Sequence, residues 1–171
     1  LIRSLPYDRQ NTTMADFTLC PSCLAEYSDP ASRRFHAEPV ACAVCGPSLT
    51  FNYGKLSESD NEQAITQTVA QVRAGKVVAV KGIGGYHLMC DASNDEAVKR
   101  LRNNKPRPHK PLAVMFPAPV DDAFQIARQS VTLSEYDKRF LLQPARPILL
   151  VASKQGAELS EMIAPGLTEI G

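Results

Sequence analysis

The sequence Cys20-Pro21-Ser22-Cys23, followed by Cys42-Ala43-Val44-Cys45, decides how the beginning of this chain folds. Two residues separate the thiols of each pair, and 18 residues lie between the pairs. Tetrahedral zinc takes four soft ligands at about 2.3 Å, and two Cys-x-x-Cys turns supply two thiolates each from a compact loop. The 18-residue spacer is typical of four-cysteine zinc sites. Because redox chemistry needs only one such pair, the pattern predicts zinc bound by Cys20, Cys23, Cys42 and Cys45.

Residues 1–53 contain both pairs, lack long apolar periodicity and carry five prolines. Such a segment cannot bury enough apolar surface by itself, so bound metal must supply much of its folding free energy. Two disulfides and inert core cysteines are the alternatives to zinc. His36 in the spacer is a further ligand candidate, as opposed to a plain surface histidine. Because four thiols complete the zinc shell, we predict a structural finger that orients domains or docks a partner.

The composition of the chain excludes several classes of protein. Its 171 residues are 44 % hydrophobic and 22 % charged, which is typical of a globular protein. A formal net charge of +1 gives no bulk attraction to nucleic acid or to an anionic membrane. The sequence contains no run of about 18 apolar residues and no apolar stretch of the signal-peptide type near its start. We therefore expect a cytoplasmic protein, in which thiolates bind metal rather than oxidise.

Residues 54–171 alternate helical and strand patterns. The predicted elements, in chain order, are a helix from Asp60 to Gly75, a strand at 76–81, a helix from Ser93 to about Arg102, a strand at 112–116, helices over 119–129 and 134–142, and a strand at 147–152. This order predicts an α/β domain with a layered sheet. The run Val77–Val80 is apolar on both faces, which suits the middle of a sheet.

Two capping boxes predict where helices begin. Asp60 with Gln63 begins the first helix, and Ser93 with Glu96 begins the second. Gly75 is placed to end the first helix in a left-handed conformation. Three residues at helical spacing form the predicted apolar face of the first helix: Ile65, Val69 and Val72.

The stretch Lys99–Lys110 is strongly basic. It contains six of the 19 Lys and Arg residues, together with His109, and no acid. Three prolines, at 106, 108 and 111, stiffen the loop and keep the charges together. Such a cluster suits a polyphosphate, because Arg binds phosphate in a bidentate manner and Lys acts as a point charge. A solvated helix face that ends in a basic loop explains the composition equally well.

A glycine-rich loop, Gly82-Ile83-Gly84-Gly85, follows the predicted strand at 76–81. Glycines let backbone N–H groups approach a ligand, but the spacing matches neither a P-loop nor a dinucleotide fingerprint. Tyr86 and His87 come next and can present their rings to the same pocket, although a structural tyrosine is equally consistent. Cys90 is expected to be a small buried residue rather than a reactive thiol.

Two long stretches resemble one known family. Residues 5–51, which include MADFTLCPSCLAEYSDPASRRFHAEPVACAVCGPSLTF, resemble the second zinc finger of the hydrogenase maturation carbamoyltransferases, the HypF family. Residues 76–116 resemble the start of the YrdC-like domain that follows in that family, and the tail MIAPGLTEIG has the same character. The ordered combination of the finger, KGIGGYHLMCDA and KPRPHKPLAVM is the most specific part of the resemblance, which covers nearly the whole chain.

The resemblance implies a YrdC-like fold, a twisted mixed sheet with helices, over 54–171. It also implies an activity: such proteins make the cyanide ligands of nickel–iron hydrogenase from carbamoyl phosphate. The YrdC-like domain joins carbamate to ATP, giving carbamoyl-adenylate and pyrophosphate. The carbamoyl group then passes to the terminal cysteine of a partner protein, HypE. Zinc would be structural, and Mg²⁺ is the expected counter-ion of ATP.

The resemblance further implies which residues bind ATP or carbamoyl-adenylate. The YrdC-like superfamily has a lysine and an arginine two residues apart, matched here by Lys105 and Arg107, which are expected to contact ATP phosphates. Lys110 is expected to support them. Tyr86 matches a superfamily tyrosine near the nucleotide. Lys81 replaces a proline, and its ammonium is expected to meet carbamate or the α-phosphate. His87 completes the expected set, and no catalytic residue is implied.

Several parts of the family are missing from this sequence, including its first finger, its acylphosphatase-like domain and its transfer domain. We therefore expect the isolated chain to be catalytically inactive. A zinc-containing double-stranded RNA-binding module of YrdC-like type is the alternative function, and it predicts affinity that falls steeply with salt. The small net charge and an aromatic content of 6 % argue against it.

Overall fold

The computed structural model describes residues 1–82, 84–107 and 110–171. Ile83 of the glycine-rich loop, and Pro108 and His109 of the basic stretch, lie outside the described residues. The chain forms two compact units, Leu1–Gln67 and Thr68–Gly171. The predicted fold class, a mixed α/β protein with a four-cysteine cluster near its start, is confirmed.

The first unit begins with short helical elements. Two 3₁₀ turns, Arg9–Asn11 and Thr13–Asp16, are followed by helix α1, Pro21–Ser28. The Thr12 side chain accepts a hydrogen bond from the Met14 N–H and so caps the second turn. Pro21 occupies the first helical position of α1, where its missing N–H costs nothing and its fixed φ suits the helix.

A hairpin ends the finger segment. Strands β1, Phe51–Tyr53, and β2, Leu56–Glu58, pair in antiparallel fashion around a turn at Gly54, whose φ is +60°. This left-handed conformation strains most residues other than glycine. The boundary that the composition predicts near residue 54 lies in this hairpin and stays a prediction.

Helix α2, Asn61–Arg73, begins and ends where the sequence predicts, but the predicted capping box forms only in part, because the Asp60 N–H donates to Glu58 at 2.9 Å instead of to Gln63. The Asp60 carboxylate accepts a hydrogen bond from the Gln63 N–H at 2.9 Å. Gly75 has φ +71°, and the Lys76 N–H donates to the Gln71 carbonyl at 3.0 Å, which closes the helix end. The predicted apolar face is not the buried one: Ile65 is 52 % exposed and Val69 41 %, whereas Ala64 is buried.

The second unit contains an antiparallel hairpin of β3, Val78–Gly82, and β4, Gly85–Met89. Its register runs from the pair Val78–Met89 to the pair Gly82–Gly85. Strand β3 alternates between half-buried and exposed residues, as a strand with one packed face does. Among the described residues it pairs with β4 alone, so the prediction of a central strand was wrong.

Helix α3, Asp95–Asn104, packs on the core through Ala97, Val98 and Leu101. Its N-cap is Asn94, whose side chain accepts from the Ala97 N–H at 3.0 Å. The predicted capping box of Ser93 and Glu96 was therefore wrong by one residue. The Ser93 hydroxyl instead donates to Asp91 at 2.6 Å, which leaves the cap to the next residue.

Helix α4, Ala127–Ser130, covers only the end of the helix predicted over 119–129. Pro117 and Pro119 disfavour helix around them, and the Asp122 side chain accepts from the Phe124 N–H at 3.0 Å, which competes with helical bonding. Helix α5, Glu135–Leu141, agrees with the prediction over 134–142.

The two remaining predicted strands form only in part. Strand β5, Val151–Ala152, pairs with β6, Glu169–Ile170, and is shorter than the predicted 147–152. The segment 112–116 lies in no regular strand pair. Its backbone is nevertheless anchored, because the Leu112 N–H donates to Ile163 and the Val114 N–H donates to Gly171, each at 2.9 Å.

The core of the second unit lies between α3, α4 and the segments around β5 and β6. Its buried residues are Val98, Ala127, Val131, Ile163, Ala164 and Ile170. Cys90 is half-buried against this cluster, and burial raises the pKa of its thiol, as expected for an unreactive core cysteine. Within the described ranges, no helix is long and apolar enough to cross a membrane.

Candidate functional site

The four paired cysteines converge on one point. Their sulfur atoms all lie within 4.8 Å of one another, with Cys20 to Cys42 at 3.7 Å and Cys42 to Cys45 at 3.8 Å. Sulfur atoms around tetrahedral zinc, each about 2.3 Å from the metal, are about 3.8 Å apart. A disulfide would need about 2.0 Å. The separations of the sulfur atoms thus fit one zinc ion. The cysteines of the finger are free thiols.

The first pair is held by the start of α1. Cys20 is the N-cap residue in an extended conformation, and its carbonyl accepts from the Leu24 N–H at 2.8 Å. Cys23 therefore lies in the first helical turn, where it is buried. Because Cys20 and Cys23 lie at the beginning and the end of the first helical turn, the helix fixes the separation of their two thiols.

The second pair is held by a tight turn. The Gly46 N–H donates to the Cys42 carbonyl at 2.8 Å, and the Val44 N–H points at the Cys42 sulfur at 3.4 Å. A Cβ at Gly46 would lie 2.8 Å from that same carbonyl oxygen, closer than real Cβ atoms come. The turn that the sequence predicts after the last thiol therefore requires glycine.

Backbone amides favour thiolates at the second pair. The N–H groups of Cys45 and Val44 lower the pKa of Cys42, and those of Cys20 and Cys42 lower the pKa of Cys45 to about 6. Burial, together with the neighbouring thiols, raises the pKa of Cys23 to about 12. A bound cation would reverse that last effect, because a coordinating thiol loses its proton.

Arg9 is a structural residue of the finger that the sequence did not indicate. It is buried, and its guanidinium donates to the carbonyls of Glu38 at 2.6 Å, Val40 at 2.8 Å and Phe17 at 2.9 Å. Phe17 and Val40 lie shortly before the first and second cysteine pairs. Arg9 therefore joins the two segments that lead into the metal cluster.

His36 lies outside the thiol cluster, so of its two interpretations the plain surface histidine is confirmed. Its ring packs against Phe35, with centroids 4.5 Å apart, and against Tyr27 at 4.9 Å. The residue is exposed and has a left-handed φ of +47°. It is a surface histidine that belongs to a small aromatic group on the finger.

The β3–β4 hairpin brings Lys81 and Tyr86 together. They are directly opposite each other in the register, so their side chains share one face, and both residues are exposed. His87 is paired with Val80 and points to the other face, where its ring would lie 3.2 Å from a Cβ at Gly82. Tyr86 and His87 thus lie on opposite faces of the hairpin, and the expectation that they reach one pocket stays a prediction.

Apart from Lys99, which is exposed on helix α3, the cations of the basic stretch are of two kinds. Arg100 donates to the Gly75 carbonyl, and Arg102 donates to four carbonyls of its surroundings. Lys105, Arg107 and Lys110 are exposed, and their side chains make no hydrogen bond or ion pair with the described part of the chain. These three cations are free to meet an anion. The nucleotide-binding role of Lys81, Tyr86, His87, Lys105, Arg107 and Lys110 stays a prediction.

Two known families match the chain, one over its cysteine-rich part and the other over its α/β part. The family described as HypF finger matches residues 19–51, and the family described as Telomere recombination, which includes the YrdC proteins, matches residues 70–171.

Individual relatives match the chain from end to end. Carbamoyltransferase HypF of Rhodobacter capsulatus is 46 % identical over 171 residues, which are 100 % of this chain and 22 % of the relative. Carbamoyltransferase HypF of Synechocystis is 43 % identical over 173 residues, again 100 % of this chain and 22 % of the relative.

Two solved structures share the fold. HypF of T. kodakarensis superposes with a TM-score of 0.84 and 40 % identity, over 99 % of this chain and 22 % of that one. A structure described as full-length HypF in the phosphate- and nucleotide-bound form superposes with a TM-score of 0.78 and 39 % identity, over 99 % of this chain and 21 % of that one. The chain thus spans about a fifth of the length of these relatives.

Proposed function

This chain belongs to the HypF family of carbamoyltransferases, and we propose that its second unit binds Mg-ATP for the activation of carbamate. In that step a carbamate oxygen attacks the α-phosphorus of ATP, and the bond from this phosphorus to the bridging oxygen breaks. The products are carbamoyl-adenylate and pyrophosphate. Negative charge builds up on the leaving pyrophosphate, so the protein must supply cations at that position.

The observation that carries the proposal is the set of three unpartnered cations, Lys105, Arg107 and Lys110, on one proline-rich loop. Elsewhere in the stretch, Arg100 and Arg102 are occupied by backbone carbonyls and Lys99 lies on helix α3. Among the described residues, these three side chains are therefore the cations that the loop itself offers to a ligand. Arg suits phosphate through its two-pronged donor geometry, and Lys adds a point charge.

Lys81 and Tyr86 supply a second group of contacts in the proposed site. An ammonium beside a phenol ring, both exposed on one hairpin face, is suited to an acyl-phosphate or carbamate group. The solved HypF described as phosphate- and nucleotide-bound supports a nucleotide site in this family. Mg²⁺ would neutralise the triphosphate through its oxygen ligands.

The wider setting of the proposed activity follows from the family. We propose that the whole protein is cytoplasmic, uses carbamoyl phosphate as the source of carbamate, and delivers the carbamoyl group to the C-terminal cysteine of a HypE-type partner. Cyanide ligand synthesis for nickel–iron hydrogenase is the proposed outcome. The four-cysteine finger has a structural role there, because its closed thiol shell leaves no position for substrate.

Calorimetric titration of the zinc-loaded chain with Mg-ATP tests the proposal. We expect saturable binding that is lost in the double variant Lys105→Ala/Arg107→Ala. The matched control is Arg33→Ala/Lys55→Ala, which removes the same charge from two exposed residues of the first unit. Mg-ATP binding of unchanged affinity in the loop variant would contradict the proposed site.

Two further measurements separate the alternatives. Binding of double-stranded RNA that weakens steeply with salt, without binding of Mg-ATP, would favour the RNA-binding module instead. We expect no pyrophosphate release by the isolated chain with carbamoyl phosphate and ATP. Measurable release would contradict the expected inactivity, while supporting the assignment of the chemistry to this unit.

A further inference from the structure

Arg102 occupies the centre of the basic stretch but faces the protein. Its Nη1 donates to the Arg107 carbonyl at 2.8 Å, and its Nη2 donates to the Lys110 carbonyl at 3.2 Å. On the other side, Nη2 donates to the Ile163 carbonyl at 3.0 Å, and Nε donates to the carbonyl of Met162. One guanidinium thus joins two points of the basic loop to the 3₁₀ turn Glu161–Ile163.

The far end of this connection is anchored in the core. Ile163 is 4 % exposed and belongs to the buried cluster of the second unit. The loop is also fixed at both ends: the Lys105 N–H donates to the Leu101 carbonyl at 3.0 Å, and the Leu112 N–H donates to Ile163 at 2.9 Å. Between these two anchors, Arg102 holds the carbonyls of Arg107 and Lys110 towards the core.

The direction of these hydrogen bonds matters for anion binding. Backbone carbonyls carry partial negative charge, so a loop that turned its carbonyls outward would repel a phosphate. Arg102 engages the carbonyls of Arg107 and Lys110, while the side chains of the same two residues are exposed. Only a guanidinium, with five N–H donors in a fixed fork, can serve four carbonyls in this way.

We infer that Arg102 is a positioning residue, which orders the loop that carries Lys105, Arg107 and Lys110 and does not itself bind phosphate. The inference rests on the proposed function only for the identity of the anion, because the loop geometry does not depend on it. Composition alone groups Arg102 with the phosphate-binding cations, and its four carbonyl partners separate it from them.

The first test measures loop order without any ligand. We would compare ¹⁵N relaxation of the Arg107 and Lys110 amides in the unsubstituted chain, in Arg102→Lys and in Arg102→Met. Order parameters of about 0.85 should fall below about 0.6 in Arg102→Met, which has no donor, and should also fall in Arg102→Lys, whose three N–H donors cannot serve four carbonyls. Arg100→Met, on the same helix, is the matched control and should leave the two amides unchanged, as should the Val98 amide in all variants. Unchanged order parameters in both Arg102 variants would overturn the inference.

The second test uses Mg-ATP binding by calorimetry and a double-mutant cycle. Arg102→Met should weaken binding by about 10-fold or more, as loss of an outer-shell partner does, and Arg102→Lys should not restore it. In the single Arg107→Ala background, where weaker binding can still be measured, the same substitution should have a smaller effect than in the unsubstituted chain, because Arg102 acts through the loop that carries Arg107. An additive loss, or full rescue by lysine, would mean that Arg102 contacts the nucleotide and would overturn the inference.

The two tests distinguish the two proposals. If the unsubstituted chain is shown to be folded but does not bind Mg-ATP, this result contradicts the proposed function of the second unit. The relaxation measurement still decides whether Arg102 orders the loop. If Mg-ATP binds but loop order and affinity are insensitive to Arg102, the proposed function stands and the positioning role fails.

Discussion

The guanidinium of Arg9 donates a hydrogen bond to the carbonyl of Val40 at 2.8 Å, although the two residues are 31 positions apart. The same side chain donates to Glu38 and Phe17, so that one buried cation serves three carbonyls. Phe17 leads into the first cysteine pair and Val40 into the second. Arg9 therefore helps to set the distance between the two halves of the zinc cluster by a means that does not involve the metal.

Substitution of Arg9 by methionine should weaken the finger. Three carbonyls would lose their donor, and each buried unpaired acceptor costs about 1–3 kcal/mol. We expect the free energy of unfolding of the first unit to fall by about 3 kcal/mol or more. Zinc should also bind less tightly, because the two cysteine pairs are less well organised before binding. Chelator competition measures the zinc affinity, and thermal unfolding measures the stability.

Arg33→Met is the matched control for Arg9→Met. Arg33 is exposed, and its side chain makes no hydrogen bond or ion pair with the described residues. The same chemical change should therefore leave zinc affinity and stability unaltered. Equal zinc affinity in the two variants would show that Arg9 does not organise the cluster.

Zinc content should depend on the paired cysteines and not on the fifth. Cys45→Ala or Cys23→Ala leaves three thiols, so we expect loss of the bound zinc and unfolding of the finger. Cys90→Ala, which removes the cysteine outside the cluster, should retain one zinc per chain. Metal analysis after extensive dialysis checks both, and an unchanged zinc stoichiometry in Cys45→Ala would refute the four-thiol site.

Gly46→Ala should loosen the second cysteine pair. The added methyl group would meet the Cys42 carbonyl oxygen at 2.8 Å and the Ala41 Cβ at 3.0 Å, so the turn must shift. We expect zinc affinity to fall by about 10–100-fold, the range seen when support around a metal ligand is lost. In Gly84→Ala, where a Cβ has open space, zinc affinity should not change. Chelator competition compares the two, and a Gly46→Ala chain that binds zinc as tightly as Gly84→Ala would contradict this reasoning.

The start of α5 should give a measurable pH effect. The Ser134 hydroxyl donates to the Asp137 carboxylate at 2.7 Å and the Ser134 N–H donates at 2.8 Å, and these bonds lower the pKa of Asp137. Because the folded pKa lies below the unfolded value of about 3.9, the interaction stabilises the fold above that pH. Its contribution is lost as the pH falls through the folded pKa.

Ser134→Ala removes the hydroxyl, so the pKa of Asp137 should rise towards its ordinary value. NMR titration of the carboxyl groups measures this change. Asp122 is the internal control: its pKa is lowered mainly by the Phe124 N–H and Arg128, neither of which the substitution touches. A constant Asp137 pKa, or an equal shift at Asp122, would contradict the assignment.

Several local features of the structure were predicted from local signals in the sequence. The spacing of the cysteines indicated the cluster, and the Asp60 cap and Gly75 end of α2 are found where they were expected. Each of these features is decided by residues close together in the chain or by a metal-binding pattern of known spacing. The mixed α/β class followed from the alternation of such elements.

Features that depend on distant backbone atoms could not be predicted. Arg9 reaches carbonyls about 30 residues away, and Arg102 reaches carbonyls 60 and 61 residues away. A carbonyl has no sequence signature, so an arginine that binds carbonyls looks the same in the sequence as one that awaits a phosphate. The predicted lengths of the short strands were wrong for a related reason, because strand pairing depends on a partner that the segment itself does not specify.

The cap of α3 gives a direct test of a prediction that failed by one residue. Asn94 accepts from the Ala97 N–H at 3.0 Å, so Asn94→Ala should destabilise the second unit by about 1 kcal/mol. Glu96→Ala is the control, because the capping box predicted from the sequence required Glu96, whereas its side chain has no hydrogen bond to the described residues. Denaturant unfolding of the two variants decides between the caps. A loss confined to Asn94→Ala agrees with the structure, and a larger loss in Glu96→Ala would instead place the N-cap at Ser93.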